Sequence, residues 1–401
     1  MRVYVIGTAD TKWAELDFVR RQLEGRGLTA CLVDIGLRDP GGAVDVPAVE
    51  VLRSAPSGRE ISAQANRTQA MSAMAEGLTH WLGAREDLAG VIGLGGSCGT
   101  AMIAPAFQEI DIGVPKVLVS TVASGNVKPY VGTSDIAMIF PVTDIAGLNG
   151  VSRIVLSNAS HALRGMVEVA STRQSETAGK PTIAMSMFGV TTACVEALRT
   201  QLEADHECLV FHATGTGGQA MEKLVSSGHI GGLLDVTLTE VADLLVGGVF
   251  PAQDNRLGAV IRSRIPYVGS CGALDIVNFG PRDTVPKRFV ARRFHQHNAQ
   301  VTLMRVTAKE SARIGRWIAA RLNKMEGPTA FVLPLGGISA LDVPGKPFRD
   351  EEANAALFDA VRTNFVPGPS RRLIESPHHI NDASFSDLLR DIFLEISQQR
   401  T

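Results

Sequence analysis

Gly90-Val91-Ile92-Gly93-Leu94 runs into Gly95-Gly96-Ser97-Cys98-Gly99-Thr100 and then into the apolar segment Ala101-Met102-Ile103-Ala104-Pro105-Ala106-Phe107. A continuous apolar run of this kind suits a strand buried on both faces. The segment after the glycines reads as a helix. Strand, glycine turn and helix make half of a βαβ unit, whose sheet is parallel and covered on both sides.

The same alternation extends in both directions. Upstream, residues 3–6 form a strand, followed by the turn Gly7-Thr8-Ala9-Asp10-Thr11-Lys12 and a helix bearing Leu16, Val19 and Leu23 that ends at Gly25 and Gly27. Residues 30–35 form a second strand, with Asp34 near its end. Residues 60–82 form a helix with Met71, Met74, Ala75, Leu78 and Leu82 on one face, where methionine suits core packing. Downstream, the strand 116–120 leads into Thr121-Val122-Ala123-Ser124-Gly125-Asn126. Residues 171–181 are polar, contain Gly and Pro, and lack apolar periodicity, so they read as a linker. The alternation then restarts, with strands at 182–187, 207–212, 232–238, 265–269, 300–306 and 330–335, and helices at 192–202, 219–225, 309–323, 350–363 and 384–396. The expected fold is α/β: two Rossmann-like three-layer domains with mainly parallel sheets, at residues 1–175 and 180–401. At roughly 150 residues per domain, a chain of 401 residues and 42.6 kDa accommodates that division.

Composition narrows the function. Lys plus Arg is 39 and Asp plus Glu is 41, for a formal net charge of −2. That excludes polyanion binding by bulk charge. Aromatic residues are only 5% of the chain, too few for a surface that stacks successive bases, so no nucleic-acid partner is expected. Cys31, Cys98, Cys194, Cys208 and Cys271 are scattered and lack C-x-x-C spacing, which fits reduced thiols rather than a disulfide framework or a zinc site. No run approaches the ~18 apolar residues of a membrane span, and residues 1–6 are too short for a signal-peptide core. The expectation is a cytoplasmic protein with no membrane partner.

Chemistry concentrates at strand ends. A helix N-terminus offers unpaired N–H groups and partial positive charge to an anion. Gly95, Gly96 and Gly99 would let an anion reach them, with Ser97 and Thr100 adding hydroxyls; the alternative is a tight turn that merely needs glycine. The segment is neither GxxxxGK[ST] nor GxGxxG. In a parallel sheet the ligand crevice lies outside the carboxyl ends of the strands, where Thr8, Asp10, Lys12, Ser120, Thr121, Ser124, Gly125 and Asn126 also fall. Lys12 would supply charge for phosphate, and Asp10 would hold Mg²⁺ or a ribose hydroxyl, or else cap the helix. A second glycine turn, Gly215-Thr216-Gly217-Gly218, follows His212 and would bind a second anion or complete the first site. His212 and Glu240, each following a strand, are the acid/base candidates. No resident metal site is expected: adjacent His378 and His379 do not share a face in regular structure, and no third ligand is evident.

Four phrases together carry a resemblance: Val5-Ile6-Gly7-Thr8-Ala9-Asp10-Thr11-Lys12, Gly93-Leu94-Gly95-Gly96-Ser97-Cys98-Gly99-Thr100, Ser120-Thr121-Val122-Ala123-Ser124-Gly125-Asn126, and Tyr130-Val131-Gly132-Thr133-Ser134-Asp135-Ile136. The chain resembles the uncharacterised UPF0261 family, related to the N-terminal domain of the tomato mosaic virus resistance protein. The resemblance implies an ATP-binding protein of two α/β subdomains that forms a dimer. Cys98 stands where many relatives carry glycine. With that implication the first domain is expected to bind ATP, with Mg²⁺, and the second to close over a small-molecule anion. The leading expectation is an enzyme acting on a small carboxylated or phosphorylated metabolite; the alternative is a non-catalytic nucleotide-responsive module.

Overall fold

The computed structural model describes residues 1–25, 27–56, 66–172 and 179–398. The chain divides into two compact units, Met1–Ala178 and Gly179–Thr401. Both are α/β.

In unit 1 the elements run β1 (Arg2–Gly7), α1 (Ala9–Glu24), β2 (Ala30–Asp34), α2 (Ala48–Arg53), α3 (Arg67–Gly83), β3 (Leu88–Gly95), α4 (Ser97–Glu109), β4 (Lys116–Ser120), α5 (Lys128–Val131), β5 (Ala137–Ile139) and α6 (Gly150–Thr172). The strands pair in the order β2-β1-β3-β4-β5, all parallel. Successive strand residues face opposite sides, which here means two separate cores. Tyr4, Ile6, Val91 and Leu118 pack with α3 and α4, through Met74, Leu78, Ile103 and Phe107. Val3, Val5, Ile92 and Val117 pack with α1 and α6, through Leu16, Val19, Leu156 and Leu163. The central strands β1, β3 and β4 are therefore apolar through their middles, as the sequence suggests. The methionine face of α3 is core at Met74, whereas Met71 reaches the rim of a cleft. Residues 60–65 of the expected helix lie outside the described residues.

Unit 2 continues with β6 (Thr182–Met187), α7 (Thr192–Leu202), β7 (Glu207–His212), α8 (Thr216–Ser226), β8 (Gly232–Thr237), α9 (Thr239–Val246), α10 (Gly258–Ser263), β9 (Tyr267–Gly272), β10 (Ile276–Phe279), β11 (Phe294–Asn298), β12 (Val301–Arg305), α11 (Ala308–Leu322), β13 (Thr329–Pro334), α12 (Glu351–Asn364), β14 (Arg371–Ser376) and α13 (Ala383–Ser397). Its main sheet, β14-β13-β9-β8-β6-β7, is wholly parallel. Read from the other edge, it repeats the strand order of unit 1 with one strand added. A small antiparallel sheet, β10-β12-β11, is inserted between β9 and β13. Among the described residues no helix is long and apolar enough to cross a membrane.

Candidate functional site

In unit 1 the helix after β1 packs on one face of the sheet and the helix after β3 on the other. These two strands are neighbours, so the connections part between their carboxyl ends. That is the switch point where ligands bind in open α/β sheets. A cleft of about 530 Å³ opens there, lined by residues that include Thr8, Asp10, Lys12, Arg38, Arg67, Gly96, Ser97, Cys98, Gly99 and Asp144. Its size is that of a small-molecule site.

The two glycines of the β3 turn serve different purposes. A Cβ at Gly95 would lie 2.6 Å from the Thr100 backbone nitrogen, so the turn itself demands glycine. A Cβ at Gly96 would meet only Thr121 Oγ1, at 3.8 Å. Gly96 is the N-cap of α4 and provides no side-chain cap. The N–H groups of Ser97, Cys98 and Gly99 have no acceptor among the described residues, as expected of the first turn of a helix. Thr100 and Ser120 are withdrawn from any ligand: both are buried, and their hydroxyls bond each other at 2.5 Å.

The β1 turn supplies the charge. Thr11 and Lys12 N–H groups close a first turn on the Thr8 carbonyl, and α1 then kinks at Lys12, whose φ is −134°. The Lys12 ammonium donates to the Ile145 carbonyl, and Glu15 accepts from the Gly147 N–H at 2.5 Å. These contacts draw the loop bearing Asp144 to the cleft. An ammonium has three donors, so Lys12 retains capacity for a ligand. The Asp10 side chain is 9% exposed; its Oδ2 accepts from Arg38 Nε at 3.3 Å, and its buried Oδ1 has no partner among the described residues. Asp34 ties β2 to this turn by accepting from Ala9 N–H (2.8 Å) and Gly36 N–H (2.7 Å). Burial pushes the Asp34 carboxyl above its ordinary value, against those two amides. Arg67, the first residue of α3, reaches Cys98 Sγ at 4.0 Å. Three cations thus face two carboxylates, Asp10 and Asp144, in the cleft, and that balance favours an anionic ligand.

Some expected residues do not join this cleft. Thr121 stands beside Gly96, but Ser124, Gly125 and Asn126 lie exposed beyond it. Conversely, Arg38, Arg67 and Asp144 carry no local signature in the sequence; only the fold brings them together.

The second glycine turn is built differently. Gly215 has φ +76°, and a Cβ there would lie 2.5 Å from the Pro251 carbonyl. At Gly217 a Cβ would overlap the His212 carbonyl, and at Gly218 it would overlap the Glu240 carboxylate. Glu240 is fully buried. It accepts from the Gly215 N–H at 2.8 Å and from Arg256 Nε at 2.5 Å. The chain's own carboxylate therefore occupies the space over this turn, and Thr216 is exposed. His212 is exposed and meets Phe188 edge-on, with ring centroids 5.7 Å apart. No contact joins its side chain to Glu240 among the described residues.

The switch point of unit 2, between the ends of β6 and β8, is bridged by the unit's own loops. Thr191 Oγ1 meets Thr237 Oγ1 at 2.8 Å. The Val190 carbonyl accepts from Ala340 N–H at 2.9 Å and from Asn381 Nδ2 at 3.0 Å. Cys271 is fully buried, and burial raises its thiol pKa far above the usual range, which leaves it inert as a nucleophile.

Comparison with known proteins follows the same division. Residues 1–172 match the N-terminal domain, and residues 180–397 the C-terminal domain, of an uncharacterised protein family, UPF0261. A UPF0261 protein of Rhizobium meliloti is 50% identical over 387 residues, covering 96% of each chain. One from Mesorhizobium japonicum is 46% identical over 398 residues, covering 99% of each. The ToMV resistance protein Tm-1 of Solanum lycopersicum is 44% identical over 420 residues, which is 99% of this chain and 56% of that protein.

Proposed function

Because the chain belongs to the UPF0261 family along both units, whose name assigns no activity, we propose from the site itself that unit 1 binds ATP. The observation that carries this reading is the open space over Gly96, in front of three N–H groups with no acceptor among the described residues. Phosphates seated there would lie within a cleft that also holds Lys12, Arg38 and Arg67. Among the described residues no group of three or more His, Cys, Asp or Glu side chains is placed to hold a metal. Mg²⁺ would instead arrive with the nucleotide, since it commonly takes one or two carboxylates plus phosphate oxygens. Asp10, with its unpartnered Oδ1, is the carboxylate for that role. All five cysteines are free, which supports a reducing, cytoplasmic setting. Exposed Val151 and Ile154 on α6 support self-association as a homodimer.

The test is thermal unfolding with ATP or ADP, each with and without Mg²⁺. A ligand at ~100 times its Kd adds about 2.7 kcal/mol of stability, so a clear rise of the midpoint is expected with ATP. An unchanged midpoint for all four combinations overturns the reading. ADP release that depends on an added carboxylated or phosphorylated metabolite would make the protein an enzyme. ATP binding without turnover, with a change of assembly, would make it a regulatory module.

A further inference from the structure

We infer that the groove beside the cleft, lined by Thr121, Phe140, Val142, Thr143 and Asp144, is the seat of the nucleotide's base. This rests on the ATP reading above. The groove is shallow and open to solvent, with a volume of about 310 Å³. Two observations join it to the phosphate end. Asp144 lines both spaces, and Thr121, in the groove wall, places its hydroxyl 3.8 Å from the Cβ position of Gly96. The groove therefore begins where the phosphate cradle ends, within the same unit.

The chemistry of the two ends differs as the two ends of a nucleotide do. The cleft carries the cations and free N–H groups. The groove presents Phe140, 41% exposed, and Val142, 65% exposed, with no charged side chain except Asp144. Apolar surface held out to water beside a charged cleft suits a flat heteroaromatic ring, which stacks on an aromatic face. The backbone also holds this wall in place at a cost. Val142 has φ +67°, and Thr143 N–H donates to the Pro141 carbonyl at 2.7 Å, closing a γ-turn of the rare, strained hand. A β-branched residue at positive φ is an outlier, and such strain clusters at ligand sites.

The experiment compares ATP with inorganic tripolyphosphate, which has the phosphates but no base, on the full chain. Phe140→Ala is expected to weaken ATP roughly tenfold, the scale of a base–aromatic stack, and to leave tripolyphosphate unchanged. Val142→Gly removes the strained side chain, so its unfolding midpoint should hold or rise while ATP weakens and tripolyphosphate does not. Parental ATP affinity in both folded variants overturns the inference, as does an equal loss of both ligands. A variant that keeps its ATP affinity but shifts from dimer to monomer also overturns it, assigning the groove to a second copy of the chain. If the parent binds neither ATP nor tripolyphosphate, the phosphate cradle fails first and the base seat with it. Tripolyphosphate binding with no added affinity for ATP sinks the base seat alone.

Discussion

Gly96→Asp is expected to abolish tight nucleotide binding while leaving unit 1 folded. At φ −75° and ψ −165° the backbone is open to any residue, and a Cβ meets nothing closer than 3.8 Å. Aspartate is moreover among the preferred N-cap residues, favoured over the glycine it replaces by roughly a few tenths of a kcal/mol. Its carboxylate would take the N–H groups of Cys98 or Gly99, the donors assigned to phosphate. Two like charges at about 4 Å repel by roughly 4 kcal/mol at an effective dielectric of 20. At about 1.4 kcal/mol per tenfold, the loss of affinity reaches ~10³. Titration calorimetry on a variant with parental circular dichroism checks it. ATP binding at parental affinity would place the phosphates elsewhere.

Arg256→Met should have the largest effect on stability. Arg256 is 3% exposed and bonds both oxygens of Asp235 at 2.9 Å, Glu240 at 2.5 Å and Glu222 at 3.1 Å. Removing one partner of a buried ion pair typically costs about 3–5 kcal/mol, because the remaining charge is stranded. Here three carboxylates lose their shared cation, so a loss in that range is expected from urea unfolding. Burial already raises the pKa of Asp235 and Glu240, and Arg256 opposes that shift. Without it, the folded state holds protons at pH values where the unfolded chain has released them. Stability then falls as pH rises above the ordinary carboxylate range. The deficit of the variant should therefore be smaller at pH 5 than at pH 8. A change under ~1 kcal/mol with no pH dependence would mean that the network contributes nothing.

The sequence makes the central strands legible for a definite reason. Strands buried on both faces carry an unbroken apolar run, as Val117–Val119 does in β4 and Ile183–Met185 in β6, and both match their expected limits. The helix α6 has no such contrast, since its buried face includes Ser152, Ala159 and Ser160 among the leucines. Of the antiparallel insert the sequence shows only β12, within the expected 300–306; β11 is missed because it reads Phe-His-Gln-His-Asn, polar and largely exposed. At the site, Gly96, Lys12 and Asp10 announce themselves by following a strand. Arg67 and Asp144 do not, because only tertiary contacts bring them there. The glycines at 217 and 218 resemble those of the first turn on paper. Their reason is different: one clears a carbonyl and the other a carboxylate supplied from α9, which no local pattern reveals.

Glu240 has a consequence for counting. It acts as a tethered ligand, held against the Gly215 N–H by the chain itself and clamped by Arg256. A tethered group competes at an effective concentration in the millimolar range or above, and leaving this seat would also strand the Arg256 guanidinium. A dissolved anion cannot match both conditions. The two halves share a strand order, yet one carries its anion internally, whereas on the function proposed for unit 1 the other takes one from solution. Saturation should therefore come at one nucleotide per chain.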